Sequence, residues 1–152
     1  MLIGVISDTH GLLRPEALAA LQGSNRIIHA GDIGDPEILN RLSEVAPVTA
    51  VRGNVDRGSW ARNIPETNIA EADGISIYIL HILKSLDLKP QAAGMRAVIY
   101  GHSHIPKQET KSGVLYFNPG SAGPRRFQLP VTVGKLIVEN GEIRSEIIHL
   151  LC

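Results

Sequence analysis

Several short apolar runs in this chain each close on a residue that can bind a metal, and this pattern limits the possible folds more than any other feature. Leu2 to Ser7 is β-branched and reads as a buried strand, followed by Asp8-Thr9-His10. Arg26-Ile27-Ile28-His29 is a second strand and runs into Ala30-Gly31-Asp32. Val48-Thr49-Ala50-Val51 is a third and runs into Arg52-Gly53-Asn54. Between them lie two helix patterns. Pro15 opens Glu16 to Leu21, with Gly23 as the stop. Asp35-Pro36 opens the other, with Asp35 as N-cap and Ile38, Leu39 and Leu42 on one face. A β-α-β-α-β order predicts parallel strands joined by crossover helices.

The middle of the chain changes character. Thr67 to Ala72 and Ile75 to His81 flank Asp73-Gly74, a hairpin signal. A polar helical piece is expected around Leu88 to Ala93. Ala97 to Tyr100 is a strand ending at Gly101-His102-Ser103-His104. Hairpins follow: one turns at Lys111-Ser112-Gly113, and one at Asn140-Gly141 between Val131 to Glu139 and Glu142 to Leu150. The chain thus begins as parallel α/β and ends antiparallel. The simplest architecture is two β-sheets face to face with helices outside. No internal repeat, low-complexity tract or linker interrupts it, so residues 1–152 are expected to form a single domain.

Strand tips in open α/β folds gather at one sheet edge, where ligands bind. Asp8, His10, Asp32, Asn54, His81, His102 and His104 all sit just past such tips. Alone, each has an ordinary explanation: Asp-x-His as an Asx turn or helix cap, Gly-Asp and Gly-Asn as turns. Gly101-His102-Ser103-His104 is stronger, because imidazoles two apart at a strand exit can converge. Together, two Asp, one Asn and four His can hold two transition-metal ions.

Composition narrows the partners. Lys and Arg (15) balance Asp and Glu (15), so the long-range positive field of a nucleic-acid binder is missing. Aromatic residues are 4% of the chain, too few for a base-stacking platform. The one cysteine, Cys152, suits a reducing compartment and a cytoplasmic location is expected. No apolar run reaches the roughly 18 residues of a membrane span. Exposed strand edges in a sheet-rich chain make a homo-oligomer plausible.

The series Asp-x-His, Gly-Asp, Gly-Asn, His, Gly-His-x-His resembles the calcineurin-like metallophosphoesterase superfamily. Asn118-Pro119-Gly120-Ser121 with Pro124-Arg125 resembles its small bacterial and archaeal phosphodiesterase branch. The resemblance implies an α/β four-layer sandwich of two mixed β-sheets flanked by helices, and a metal-dependent phosphoesterase, most simply a phosphodiesterase acting on a small phosphodiester. It implies that Asp8, His10, Asp32 and His104 hold one divalent ion and that Asp32, Asn54, His81 and His102 hold another, with Asp32 bridging. Mn²⁺ is the first expectation among Mn, Fe, Zn, Ni and Co. Asp32, Asn54 and His102 would carry the catalytic duties of positioning hydroxide and phosphate. The hydroxide would lie between ions about 3.5–4 Å apart and attack phosphorus in line. Asp56 would play a supporting part. A metal-binding scaffold for protein partners and a nuclease are the competing classes.

This chain departs from the branch at two places. Branch members commonly have His-Gly-His where it has His81-Ile82-Leu83, so the loop carrying His81 is open to change. Many superfamily phosphatases carry a proton-donating His where this chain has Val55. His29 ends a strand beside Gly31-Asp32, where it could support the site, whereas His149 reads as structural or exposed. Asn118 to Ser121 reads first as a turn and otherwise as a wall of the phosphate pocket. Arg125 or Arg126 would contact either substrate or a neighbouring subunit.

Overall fold

The computed structural model describes residues 1–151; Cys152 lies outside them. Among the described residues the chain forms ten strands and two α-helices. The first sheet holds β1 (Leu2–Ile6), β2 (Arg26–His29), β3 (Val48–Ala50), β9 (Thr132–Glu139) and β10 (Glu142–His149), in the order β10-β9-β1-β2-β3. β1, β2 and β3 run parallel, and β9 and β10 are antiparallel to the neighbours they pair with. The second sheet holds β4 (Thr67–Ala72), β5 (Ile75–Leu80), β6 (Met95–Ile99), β7 (Lys107–Lys111) and β8 (Val114–Asn118), in the order β4-β5-β6-β8-β7.

The expectation that the chain ends antiparallel holds only in part. β8 enters between β6 and β7, parallel to β6 and antiparallel to β7. The second sheet therefore has its own parallel centre, β5-β6-β8, with antiparallel edges. All three hairpins turn on a residue pair in the left-handed region. These are Asp73-Gly74 (φ 46 and 81), Ser112-Gly113 (φ 51 and 76) and Asn140-Gly141 (φ 52 and 76). Positive φ at both central residues gives the turn whose twist matches that of the strands it joins.

Alternation along the strands builds three apolar clusters. Ile3, Val5, Ile28, Ile77, Ile79, Ile99, Phe117 and Leu136 lie among the buried residues that join the two sheets. The opposite face of β1 and β2, through Ile6 and Ile27, packs under α1 (Pro15–Leu21) and α2 (Pro36–Ser43) by way of Ala17, Leu21, Ile38 and Leu42. Gly4 lets α1 approach: a Cβ there would stand 2.6 Å from Leu21 Cδ2. At seven residues α1 is too short to be stable alone, so this burial holds it in place. The N-cap of α2 is Asp35, whose Oδ1 accepts from the Glu37 N–H at 2.9 Å.

The outer face of the second sheet, including Tyr78, Val98 and Tyr100, is covered by Leu83, Leu86 and Leu88. The helix expected at Leu88 to Ala93 is only a single turn. Gly94 (φ 80) closes it, with Gly94 N–H donating to Gln91 O and Met95 N–H to Pro90 O. Pro90 and Gly94 stand too close together for a second turn to fit between the start and stop signals. This layer is therefore thin, made of that turn and a 3-10 turn at Leu83–Ser85. No helix among the described residues is long and apolar enough to cross a membrane.

Candidate metal centre

Parallel strands put their C-terminal ends at one edge, and both sheets bring theirs to the same place. β1 delivers Asp8 and His10, and β2 delivers Asp32. β5 delivers His81, and the loop after β6 delivers His102 and His104. Two groups result: Asp8, His10 and His104, and Asp32, His81 and His102. Within each group the ligand atoms lie within 4.8 Å of one another, and each group draws on both sheets. Asp32 Oδ2 lies 3.1 Å from His81 Nε2 in its own group and 3.6 Å from His10 Nε2 in the other. Asn54 is exposed on the loop after β3 and lines a cleft of about 310 Å³ with His81. The Ile82-Leu83 departure leaves His81 buried. Ile82 adopts extended backbone, which a β-branched residue favours, and Leu83 turns away to cover the second sheet.

Five of the seven residues occupy the left-handed region: Asp8 (φ 56), His10 (φ 47), Asp32 (φ 54), His102 (φ 72) and His104 (φ 64). Non-glycine residues rarely do so, at a cost of about 1 kcal/mol or more each. Outside the site the only other non-glycine residues with positive φ among those described are the hairpin residues Asp73, Ser112 and Asn140, and Phe127. The backbone strain is therefore concentrated on the loops that bear these side chains.

The surrounding bonds offset that strain. The Ser7 hydroxyl (2.7 Å) and the His102 N–H (3.1 Å) donate to Asp8 Oδ2, which leaves Oδ1 facing the imidazoles. Val55 N–H donates to Asp32 Oδ1 at 3.1 Å, which leaves Oδ2 facing them. His81 Nδ1–H donates to Ala30 O at 2.7 Å, so Nε2 carries its free lone pair when the ring is neutral. Asp56 accepts from the N–H groups of Ile33 (3.1 Å), Gly34 (2.9 Å) and Gly53 (2.8 Å), tying the Asp32 loop to the Asn54 loop. Asn118 Nδ2 donates to Gly101 O and Ser103 Oγ, both at 3.1 Å, and Ser121 Oγ donates to Asp8 O at 3.0 Å. Asn118 to Ser121 is thus both a turn and a brace for the loops beside it.

His29 is fully buried, and burial pushes its pKa down to about 4, so it is neutral. Its Nδ1 accepts from Gly31 N–H at 3.1 Å. Its Nε2–H therefore donates to Thr9 Oγ1 at 3.0 Å, while Thr9 donates to Ile33 O at 2.8 Å. This chain links the Asp8 and Asp32 loops. Sequence reasoning passed over Ser7 and Thr9; a hydroxyl on each side of Asp8 at a strand exit was the available signal.

Electrostatics at the centre point to a cation. Burial alone would raise the Asp8 carboxyl; His10 and His104 beside it, with His81, hold it below the carboxylate range instead. Asp32 behaves likewise: burial raises it, but His81 and the Val55 N–H win. The Asp8 carboxylate raises His10 against its burial, and Asp32 and Asp8 raise His81 against its greater burial. Asp8 Oδ1 and His81 Nε2 are buried with no hydrogen-bond partner, and both face the centre. Buried polar atoms are seldom left so. Carboxylate oxygens and imidazole nitrogens together form a donor set for first-row divalent ions.

A pH dependence follows. With no ion bound, protons on His10 and His81 pair with Asp8 and Asp32. Raised imidazole pKa values stabilise the fold fully below the unfolded value near 6.5, and that contribution is lost as pH rises through the folded values. His29, buried neutral with its pKa lowered to about 4, works the other way: its unfolded imidazole takes up a proton below about pH 7, which costs stability there and fades at higher pH, so the loss from His10 and His81 shows above that point. Metal-stripped protein should therefore lose thermal stability above about pH 7, as pH rises through the raised values of His10 and His81, while its affinity for divalent ions rises as the competing protons leave. Melting temperature and Mn²⁺ titrations between pH 6 and 9 check this; affinity that falls with pH would contradict it.

Residues 1–141 match the calcineurin-like phosphoesterase superfamily domain. The chain belongs to that superfamily. It is 38% identical to a probable metallophosphoesterase of Methanocaldococcus jannaschii, over 92% of this chain and 77% of that one. In three dimensions it matches an archaeal phosphodiesterase with a TM-score of 0.79 and 26% identity, over 97% of this chain and all of that one. A vacuolar protein sorting 29 structure from Cryptosporidium parvum gives a TM-score of 0.76 at 16% identity, over 97% and 96%, a likeness of fold alone. Superfamily membership and the two candidate metal groups go together, since these phosphoesterases are metal enzymes.

Proposed function

We propose that this chain is a dinuclear metal-dependent phosphodiesterase that hydrolyses a P–O bond. One observation supports the reading above all: Asp32 Oδ2 and Asp8 Oδ1 each face imidazoles of both groups, and Asp32 comes nearer the far group, at 3.6 Å from His10 Nε2 against 3.8 Å between Asp8 Oδ1 and His81 Nε2. Asp8, His10, Asp32 and His104 would hold one ion, and Asp32, Asn54, His81 and His102 the other. Bound ions supply Lewis acidity, bringing the pKa of water toward neutrality and offsetting charge on phosphoryl oxygens. Mn²⁺ is the proposed ion. The likeness to an archaeal phosphodiesterase favours the diester.

The remaining work falls to the chain. Asp56, His29 and Thr9 hold the Asp8, Asp32 and Asn54 loops at fixed separation, so the centre is organised before substrate arrives. Exposed Asn54 and His102 border the open side, where they would orient the phosphate. Val55 is exposed and offers no side-chain proton, so no imidazole assists the leaving group from that position. Diesters that release an aryl or nucleoside group, which needs little protonation, should be preferred over alkyl monoesters. A cytoplasmic location is proposed from the single cysteine, and self-association from the edge strands β7 and β10.

The test is hydrolysis of an aryl phosphodiester beside the matching monoester by metal-stripped protein titrated with Mn²⁺, with Asp32→Ala as control. Diester turnover should require the metal, exceed monoester turnover, and vanish in the variant. Folded protein that stays inactive with every divalent ion tried would sink the reading.

A further inference from the structure

The connection from β3 to β4 forms a hollow of about 260 Å³ beside the centre, lined by Arg52, Arg57 and Arg62 together with Asp56. Three guanidinium groups around one hollow are unexpected in a chain whose charges balance at 15 and 15. The only carboxylate lining it is already engaged, since Asp56 accepts three backbone N–H groups. Among the described residues Arg57 and Arg62 are exposed and make no ion pair. Arg52 is held in place: its Nη1 donates to Ile64 O at 3.2 Å, and its Nη2 donates to Glu66 Oε1 at 3.0 Å. Two of its five donors are used, and Glu66 is itself largely exposed.

Arg52 also lines the cleft that contains Asn54 and His81. The hollow and the cleft therefore adjoin at this residue, which immediately precedes Gly53-Asn54. A molecule seated with its scissile phosphate at the centre could extend past Arg52 into the arginine-lined hollow. Guanidinium forks match the geometry of phosphate oxygens better than a point charge does.

We infer that this hollow binds a second phosphoryl group on the substrate, so that the favoured diester carries a further phosphate on one of its ester arms. The inference rests on the phosphodiesterase reading of the centre and names the substrate class for it. Arg57 and Arg62 would be specificity residues, positioned away from the reacting atoms.

The probes are thymidine 5′-(p-nitrophenyl phosphate) with and without a 3′-phosphate, compared on the Mn²⁺-loaded wild-type protein and an Arg57→Ala/Arg62→Ala variant. The wild type should show the lower KM for the phosphorylated diester. The variant should raise that KM about five- to tenfold, the scale of a few exposed charge-assisted contacts, with kcat and the other diester unchanged. Equal KM values in the wild type, or a preference that survives in the variant, would overturn the inference. A calorimetric titration of inorganic pyrophosphate into metal-stripped protein keeps this separate from the diesterase reading. Binding that weakens in the variant supports the hollow even if neither diester is turned over. No binding, or binding the variant retains, counts against it.

Discussion

Asp56→Ala should lower the stability of the protein by about 3–5 kcal/mol and loosen the candidate metal centre in the same step. The carboxylate is buried, and its two oxygens accept from the amides of Ile33, Gly34 and Gly53. Alanine removes all three acceptors at once. The amides lie on loops with little freedom to adjust: Asp32 already holds a costly φ of 54, and Gly34 packs so closely that a Cβ there would strike the backbone of His10 and Gly11. Water reaching these amides would require the Asp32 and Asn54 loops to separate. Stability and metal affinity should therefore fall together, with a melting temperature lower by roughly 10 °C for a chain of this size. Asp56→Asn keeps one acceptor oxygen and should fall between the two. Thermal unfolding of metal-stripped protein measures the first effect, and Mn²⁺ titration measures the second. A variant within about 0.5 kcal/mol of wild type would show that Asp56 does not hold these loops.

What could be read in advance was mostly local. Pro15 and Asp35-Pro36 mark helix starts, and each hairpin pair carries the Gly that its turn requires, so these elements fall where the residues predict. The position of β8 between β6 and β7 could not be read, because β-strand order depends on which edges meet across the sheet and leaves no mark on either strand. The helical piece expected around Leu88 to Ala93 is only one turn, and Leu88, with Leu86 before it, is apolar because it covers the second sheet. At the centre, every residue singled out lies in the loop that follows a strand, and strand exits are visible in a sequence. The left-handed backbone at Asp8, His10, Asp32, His102 and His104 is not visible, because tertiary contacts impose it against local preference. The Ile33 and Gly34 amides held by Asp56 and the His29–Thr9 link were hidden for the same reason: their partners lie 20 to 23 residues away along the chain.

Gly101→Ala should weaken metal binding at one half of the centre more than at the other while leaving the fold largely intact. Gly101 is not in the left-handed region, so alanine can adopt its backbone there. The obstacle is space: the new methyl group would collide with Ser7 Oγ and stand 2.6 Å from Asp8 Oδ2. Asp8 cannot simply rotate aside, because Oδ2 is held by the Ser7 hydroxyl and the His102 N–H. Displacing it breaks both bonds and turns Oδ1 away from His10 and His104, the other members of its group. Asp32, His81 and His102 form the other group and do not include Asp8. Affinity for one ion should drop about 10–100-fold, the usual effect of misplacing a ligand through its supports, and the second should be affected less. Gly74→Ala provides the contrast. Gly74 has φ 81 with nothing near its Cβ position, so alanine there strains a hairpin turn and spares the centre. It should cost about 1 kcal/mol of stability and leave metal stoichiometry unchanged. Calorimetric Mn²⁺ titration of both variants separates the two effects, and equal loss of both ions in Gly101→Ala would mean that the two groups act as one.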